Sequence, residues 1–140
     1  MHVDILMIGK VSEKSYKTLV EQYITRCRAR LPIDLVFCRD LADMRRRLPP
    51  DEVVALDERG SCMTSREVAD WLQKKINAGR NRLTFCLGPA NGLDMEVKKA
   101  ATETIALSRM TLNHQLALLV LSEQLYRGLS ILFGEPYHKA

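Results

Sequence analysis

The chain has 140 residues, 46% apolar and 27% charged, with a formal net charge of +4 and a pI near 9.0. That length fits one domain, residues 1–140, able to bury roughly 70% of its unfolded surface without staples. The mild basic excess suits a polyanionic partner without being diagnostic of one, no apolar run is long enough to span a membrane, and Cys27, Cys38, Cys62 and Cys86 form no CxxC pair, which leaves zinc and redox motifs unsupported.

In chain order, His2 to Gly9 reads as a buried strand, nearly continuous in apolar residues. Its apolar run is too short for a signal peptide, so a reducing cytoplasm is the simplest compartment. Ser12 or Ser15 is placed to cap a helix whose inner stripe is Tyr16, Leu19, Val20, Tyr23 and Ile24. Pro32 precedes a second strand, Ile33–Cys38, and Leu41 to Leu48 is a short basic helix broken by Pro49-Pro50. Glu52 to Leu56 is a third strand that ends in the charged loop Asp57-Glu58-Arg59-Gly60. Thr64 or Ser65 caps the next helix with support from Glu67, and Val68, Trp71, Leu72 and Ile76 face inward before Gly79 stops it. A fourth strand, Leu83–Leu87, leads into the loop 88–92. Asp94 opens a helix through about Thr102, and Thr104–Leu107 is a fifth strand. Residues 110–113 turn into a last helix through about Phe133 that is apolar on nearly all sides, which calls for a second packing partner such as another protomer. Cys38 and Cys86 end apolar runs and read as buried small hydrophobes.

Strands alternating with helices predict an α/β fold with a parallel sheet flanked by helices. In such sheets ligands bind beyond the carboxyl ends of the strands, so the loops after Leu56, Leu87 and Leu107 are candidates to share one pocket. No GxGxxG, P-loop or GxSxG pattern is present, which counts against a nucleotide-binding or hydrolase elbow of those types. From the residues alone, Leu56–Gly60 reads equally as a solvated turn, and His114 reads first as a capping or packing residue. Tyr137 and His138 stand out because they follow a helix too apolar to be mobile.

Several segments carry a resemblance: Ile8–Lys10, Ala55–Gly60 (ALDERG), Leu87–Leu93 (LGPANGL), Leu107–Leu116 (LSRMTLNHQL), Glu123–Gly128 (EQLYRG) and Gly134–Ala140 (GEPYHKA). In this order, and over essentially the whole chain, they resemble the small SPOUT-superfamily methyltransferases that modify N3 of a pseudouridine in large-subunit ribosomal RNA. The resemblance implies a deep trefoil knot in the C-terminal part of the sheet, an obligate homodimer, and S-adenosylmethionine held in the knot without a metal. It implies that Leu56, Gly88, Leu107, Ser108, Arg109, Met110, Thr111 and Leu112 hold the cofactor. Tyr137 and His138 would be catalytic, lying near the target base and completing the partner subunit's pocket. His138 is then a candidate general base, with solvent or phosphate as alternatives. The substrate would be rRNA within the folded ribosome, with Arg45, Arg46, Arg47, Lys74, Lys75, Arg80 and Arg82 as candidate phosphate contacts.

Three features depart from the family pattern. Pro89 replaces the second glycine of the loop, Asn113 stands where proline is usual, and the segment between the second and third strands is short. They bear on cofactor affinity and on the RNA surface, and the Pro89 change admits a non-catalytic RNA- or ribosome-binding relative as the alternative.

Overall fold

Residues 1–89 and 92–139 are described by the computed structural model; Ala90 and Asn91 of the glycine-containing loop, and Ala140, lie outside the described residues. Five strands, β1 (His2–Ile8), β2 (Ile33–Cys38), β3 (Glu52–Cys62), β4 (Arg82–Leu87) and β5 (Glu103–Ala106), alternate with five helices. The helices are α1 (Lys14–Cys27), α2 (Leu41–Arg47), α3 (Ser65–Asn77), α4 (Met95–Ala100) and α5 (His114–Leu132). All strand pairs are parallel, in the order β2-β1-β4-β3-β5.

The alternation of side chains along each strand divides the core in two. Val3, Ile5 and Met7 of β1, with Leu83, Phe85 and Leu87 of β4, face α1, α3 and α5, where Val20, Ile24, Leu72, Leu118 and Leu125 complete one apolar cluster. Leu6, Val53, Ala55 and Cys86 face the opposite way and meet Met44 of α2 and Val97 of α4. The division follows from the strand order. The chain steps one way along the sheet from β1 to β2 and from β3 to β4, and the other way from β2 to β3 and from β4 to β5. Right-handed crossovers therefore send the intervening helices to opposite faces. α5 then returns from the sheet edge to pack between α1 and α3.

Cap chemistry accounts for several helix starts. Thr64 and Glu67 form a reciprocal capping box on α3, and Asp40, Asp94 and Asn113 accept from Asp43, Val97 and Leu116 backbone N–H groups at the starts of α2, α4 and α5. α1 differs from the expectation. Its N-cap is Glu13, with no side-chain cap of its own. Gln115 of α5 serves instead, its Oε1 accepting from the N–H groups of Ser12 and Glu13 at 2.9 and 3.0 Å.

Other differences also have physical reasons. Leu19 and Ile76, expected on inner faces, are 40% and 36% exposed, because one helix buries only the narrow stripe that meets its neighbours. α4 ends at Ala100 and not at Thr102, since the Thr102 N–H and hydroxyl both donate to the Val53 carbonyl and lead into β5. The largest difference is in β3, which continues beyond Leu56 to Cys62.

Candidate functional site

The extension of β3 builds the site. Leu56 and Ser61 both pair with Ile105 of β5, so the residues between them, Asp57, Glu58, Arg59 and Gly60, arch away from the ladder as a long bulge. Gly60 is required by the close return of the chain. A Cβ there would lie 2.7 Å from the Thr104 carbonyl carbon and oxygen. The LDERG segment is thus neither a plain turn nor a regular strand, and its charged side chains are set at the carboxyl end of the sheet.

Opposite the bulge lies a cavity of about 350 Å³ at the three strand ends. Its apolar wall is Leu56, Leu87, Leu107, Leu112 and Ala117, and its polar groups come from Asp57, Glu58, Arg59, Lys98, Ser108, Thr111 and His114. Gly88, Pro89, Gly92 and Met110 complete the lining. The parts are tied together by side chains. Lys98 pairs with Asp57 at 2.7 Å, and the Thr111 hydroxyl donates to Glu58 at 2.6 Å, joining the bulge to the segment before α5. The hydrogen bond from Lys98 holds the Asp57 carboxyl below its ordinary range, opposed by burial and helped by the Arg59 backbone N–H. Asp57 is therefore an anion facing the cavity at neutral pH. A second cavity of about 300 Å³ lies between α3, α5 and β3, shares Leu56 and Leu107 with the first, and is lined by Val68, Trp71, Phe85 and Leu125 among others.

Of the residues expected to hold a cofactor, Leu56, Gly88, Leu107, Ser108, Met110, Thr111 and Leu112 line the first cavity. Arg109 is exposed and outside the lining. Gly88 is packed tightly, since a Cβ would lie 2.8 Å from the Leu93 backbone nitrogen. Lys98, His114 and Ala117 were missed by the reading of the sequence as site residues. His114 carries a signal, its position directly after the last strand-end loop; Lys98 has none, lying on a helix of ordinary composition.

Tyr137 and His138 sit elsewhere and line neither cavity. The segment after α5 folds back on α1 and α5. The Tyr137 hydroxyl donates to Glu123 at 3.1 Å and lies 3.1 Å from the Tyr23 hydroxyl, while its ring meets Tyr126 edge-on at 4.7 Å. Burial pushes its phenol well above the ordinary range, and Tyr23 and the Glu123 carboxylate push it further, so Tyr137 remains a neutral donor. Arg127 stacks 4.7 Å from the Tyr137 ring centre and donates through Nη1 to Nδ1 of His138 at 3.1 Å. Tyr137 thus has packing contacts that its late position in the chain does not suggest.

The candidate phosphate contacts are mostly committed within the chain. Arg45 pairs with Asp94 and Glu96, Arg46 and Arg47 with Asp43, Lys75 with Glu52 and Glu103, Arg80 with Asp51, and Arg82 with Asp4. Among the described residues Lys74 makes no such pair, nor do Lys10, Arg59 and Arg109, which lie on or beside the loops at the strand ends.

A family described as "Predicted SPOUT methyltransferase" matches residues 1–138. Curated relatives named ribosomal RNA large subunit methyltransferase H include one from Syntrophomonas wolfei, 38% identical over 99% of this chain and 100% of its own length. Another, from Geobacter sp. strain M21, is 38% identical over 99% of both chains, and one from Flavobacterium psychrophilum is 34% identical over 99% of both. Among solved structures the fold is similar to a probable methylase family protein of Haemophilus influenzae, with a TM-score of 0.61 at 13% identity over 94% of this chain and 66% of that one. It is also similar to TrmJ from Z. mobilis ZM4, with a TM-score of 0.56 at 15% identity over 99% of this chain and 73% of that one. These likenesses, with the parallel sheet and its strand-end cavity, place the chain in the SPOUT methyltransferase family.

Proposed function

We propose that this protein methylates large-subunit ribosomal RNA at N3 of a pseudouridine, using S-adenosylmethionine as a homodimer. The observation that carries the reading is the strand-end cavity. It is formed mainly by three of the segments that carry the resemblance, in a chain that aligns end to end with relatives named for large-subunit rRNA methylation.

The residues fit such a donor. Leu56, Leu87, Leu107, Leu112 and Ala117 would offer an apolar wall to an adenine ring, and Glu58 would offer a carboxylate to the donor's cationic end, Asp57 being already paired with Lys98. When bound, S-adenosylmethionine supplies an electrophilic methyl group. The chain's own residues then have to orient the acceptor and exclude water, and for a transfer of this kind proximity supplies much of the rate. Leu56, Gly88 and the run 107–112 are assigned to the cofactor, and the exposed Arg109 side chain to RNA phosphate together with Lys10 and Arg59, which are exposed at the same end of the sheet.

The dimer is supported by α5, whose Leu116, Leu119, Val120 and Ile131 are only half-buried in the single chain. It is supported also by the distance in structure between Tyr137 and His138 and the cavity of their own chain, which suits a role at the partner's cavity. The return of α5 from the edge strand across the sheet supports the knot. Calorimetry on the purified protein tests the first step. S-adenosylmethionine is expected to bind with an affinity unchanged by a chelator; no binding would leave only an RNA- or ribosome-binding relative.

A further inference from the structure

We propose that Arg127 is a positioning residue that keeps His138 protonated at Nε2, so that His138 meets the target base as a hydrogen-bond donor and not as a general base. The proposal rests on the methyltransferase reading above, and it concerns which way the histidine is wired.

A guanidinium has five N–H donors, no acceptor, and does not give up its proton in proteins. Arg127 Nη1 lies 3.1 Å from His138 Nδ1, so Nδ1 must supply the lone pair. A neutral imidazole has one lone pair and one N–H. With the lone pair engaged by Arg127, the N–H is left at Nε2. Moving the proton to Nδ1 would set N–H against N–H beside a fixed cation.

Arg127 is itself held. Its Nε and Nη2 lie 2.9 and 2.6 Å from Glu123 Oε1, one turn earlier on α5, and its Cζ lies over the Tyr137 ring. The charged and titratable groups around the pair include Arg127, Glu123 and Tyr126 from α5, Tyr137 beside the histidine, and Tyr23 and Arg26 from α1, Arg26 lying 5.3 Å from the Tyr23 ring centre and 5.6 Å from that of Tyr126. Only Arg127 reaches the ring nitrogen among the described residues.

The donor has a use in the reaction. N3–H of the pseudouridine releases its proton to water, and the N3 electron pair forms the bond to the methyl carbon while the carbon–sulfur pair stays with sulfur. The negative charge that develops at N3 is shared with the two flanking carbonyl oxygens. A donor aimed at one of those oxygens stabilises that charge, in the manner of an oxyanion hole.

Two measurements on the full-length protein test this. Nitrogen-15 NMR of histidine-labelled protein at pH 8, with the His138 signals identified by their loss in His138→Gln, reads the tautomer without substrate. Nε2–H is expected in wild type and a shift toward Nδ1–H in Arg127→Met; Nδ1–H as the main wild-type form would overturn the proposal. Single-turnover methylation of ribosomes supplies the second reading. His138→Gln, which keeps an N–H donor but cannot act as a base, is expected within about 10-fold of wild type, with His138→Ala about 10²-fold slower. Gln as slow as Ala would overturn the donor role. Absence of methylation by wild type would overturn the functional reading and the donor role with it, whatever the tautomer.

Discussion

Cys27, Cys38 and Cys86 are buried and Cys62 is exposed at the end of β3. Burial pushes the Cys27 and Cys86 thiols up to about 12, and raises Cys38 as well. The thiolate is the reactive form, so a thiol reagent at pH 8 is expected to modify one cysteine of the native protein, with loss of that reaction in Cys62→Ser. Fast modification of more than one thiol without denaturant would contradict the packing. Asp43 offers a second test. It is buried at the start of α2, where the Arg39 backbone N–H, then Arg46 and Arg47, lower its carboxyl from 3.8 to about 2. A carboxyl depressed in the folded state stabilises it above the unfolded value, and that contribution fades as pH falls through the folded one. Asp43→Asn is therefore expected to melt lower than wild type at pH 7, with the difference shrinking between pH 4 and pH 2. A difference constant with pH would show that the charge has no part in it.

At the scale of elements, local chemistry and fold agree best in α3. Its capping box satisfies two backbone donors reciprocally, so Thr64→Ala is expected to cost about 1 kcal/mol in urea denaturation, with the slope unchanged. Loss of under a few tenths would show the cap to be dispensable. β1 and β4 were legible because central strands buried on both faces read as near-continuous apolar runs, and the edge strand β2 because a short apolar run follows Pro32 even though Asp34 and Phe37 are exposed. β3 was legible only to Leu56. After it the apolar signal gives way to charge, and pairing with β5 resumes only beyond a bulge whose existence depends on a strand fifty residues away in sequence. The α1 cap was missed for the same reason, since Gln115 acts across more than one hundred residues. The three strand-end loops were legible as a shared pocket from the general behaviour of parallel sheets, whereas Lys98 reaches the cavity only through the placement of α4. The packing of Tyr137 on α1 left no mark in local pattern, because each of its partners is also an ordinary helix residue.

At the scale of the molecule, α5 links both halves of the account. Leu118, Leu121, Leu125 and Leu129 lock it into the chain's own core, so Leu125→Asp would unfold the protein without testing association. Leu119 is half-buried. Leu119→Asp is expected to give a folded monomer by sedimentation at micromolar concentration, with the single tryptophan, Trp71, reporting an intact fold. A wild-type protein that sediments as a monomer would remove the dimer, and with it the supply of Tyr137 and His138 to the partner's cavity. The central claim concerns what the cavity does. The most direct measurement incubates the purified protein with large ribosomal subunits from cells lacking the corresponding gene, together with isotope-labelled S-adenosylmethionine, and follows the label into rRNA nucleosides by mass spectrometry. One labelled methyl group on a pseudouridine per subunit is the expected result, and binding of the cofactor with no transfer to any rRNA nucleoside would contradict it.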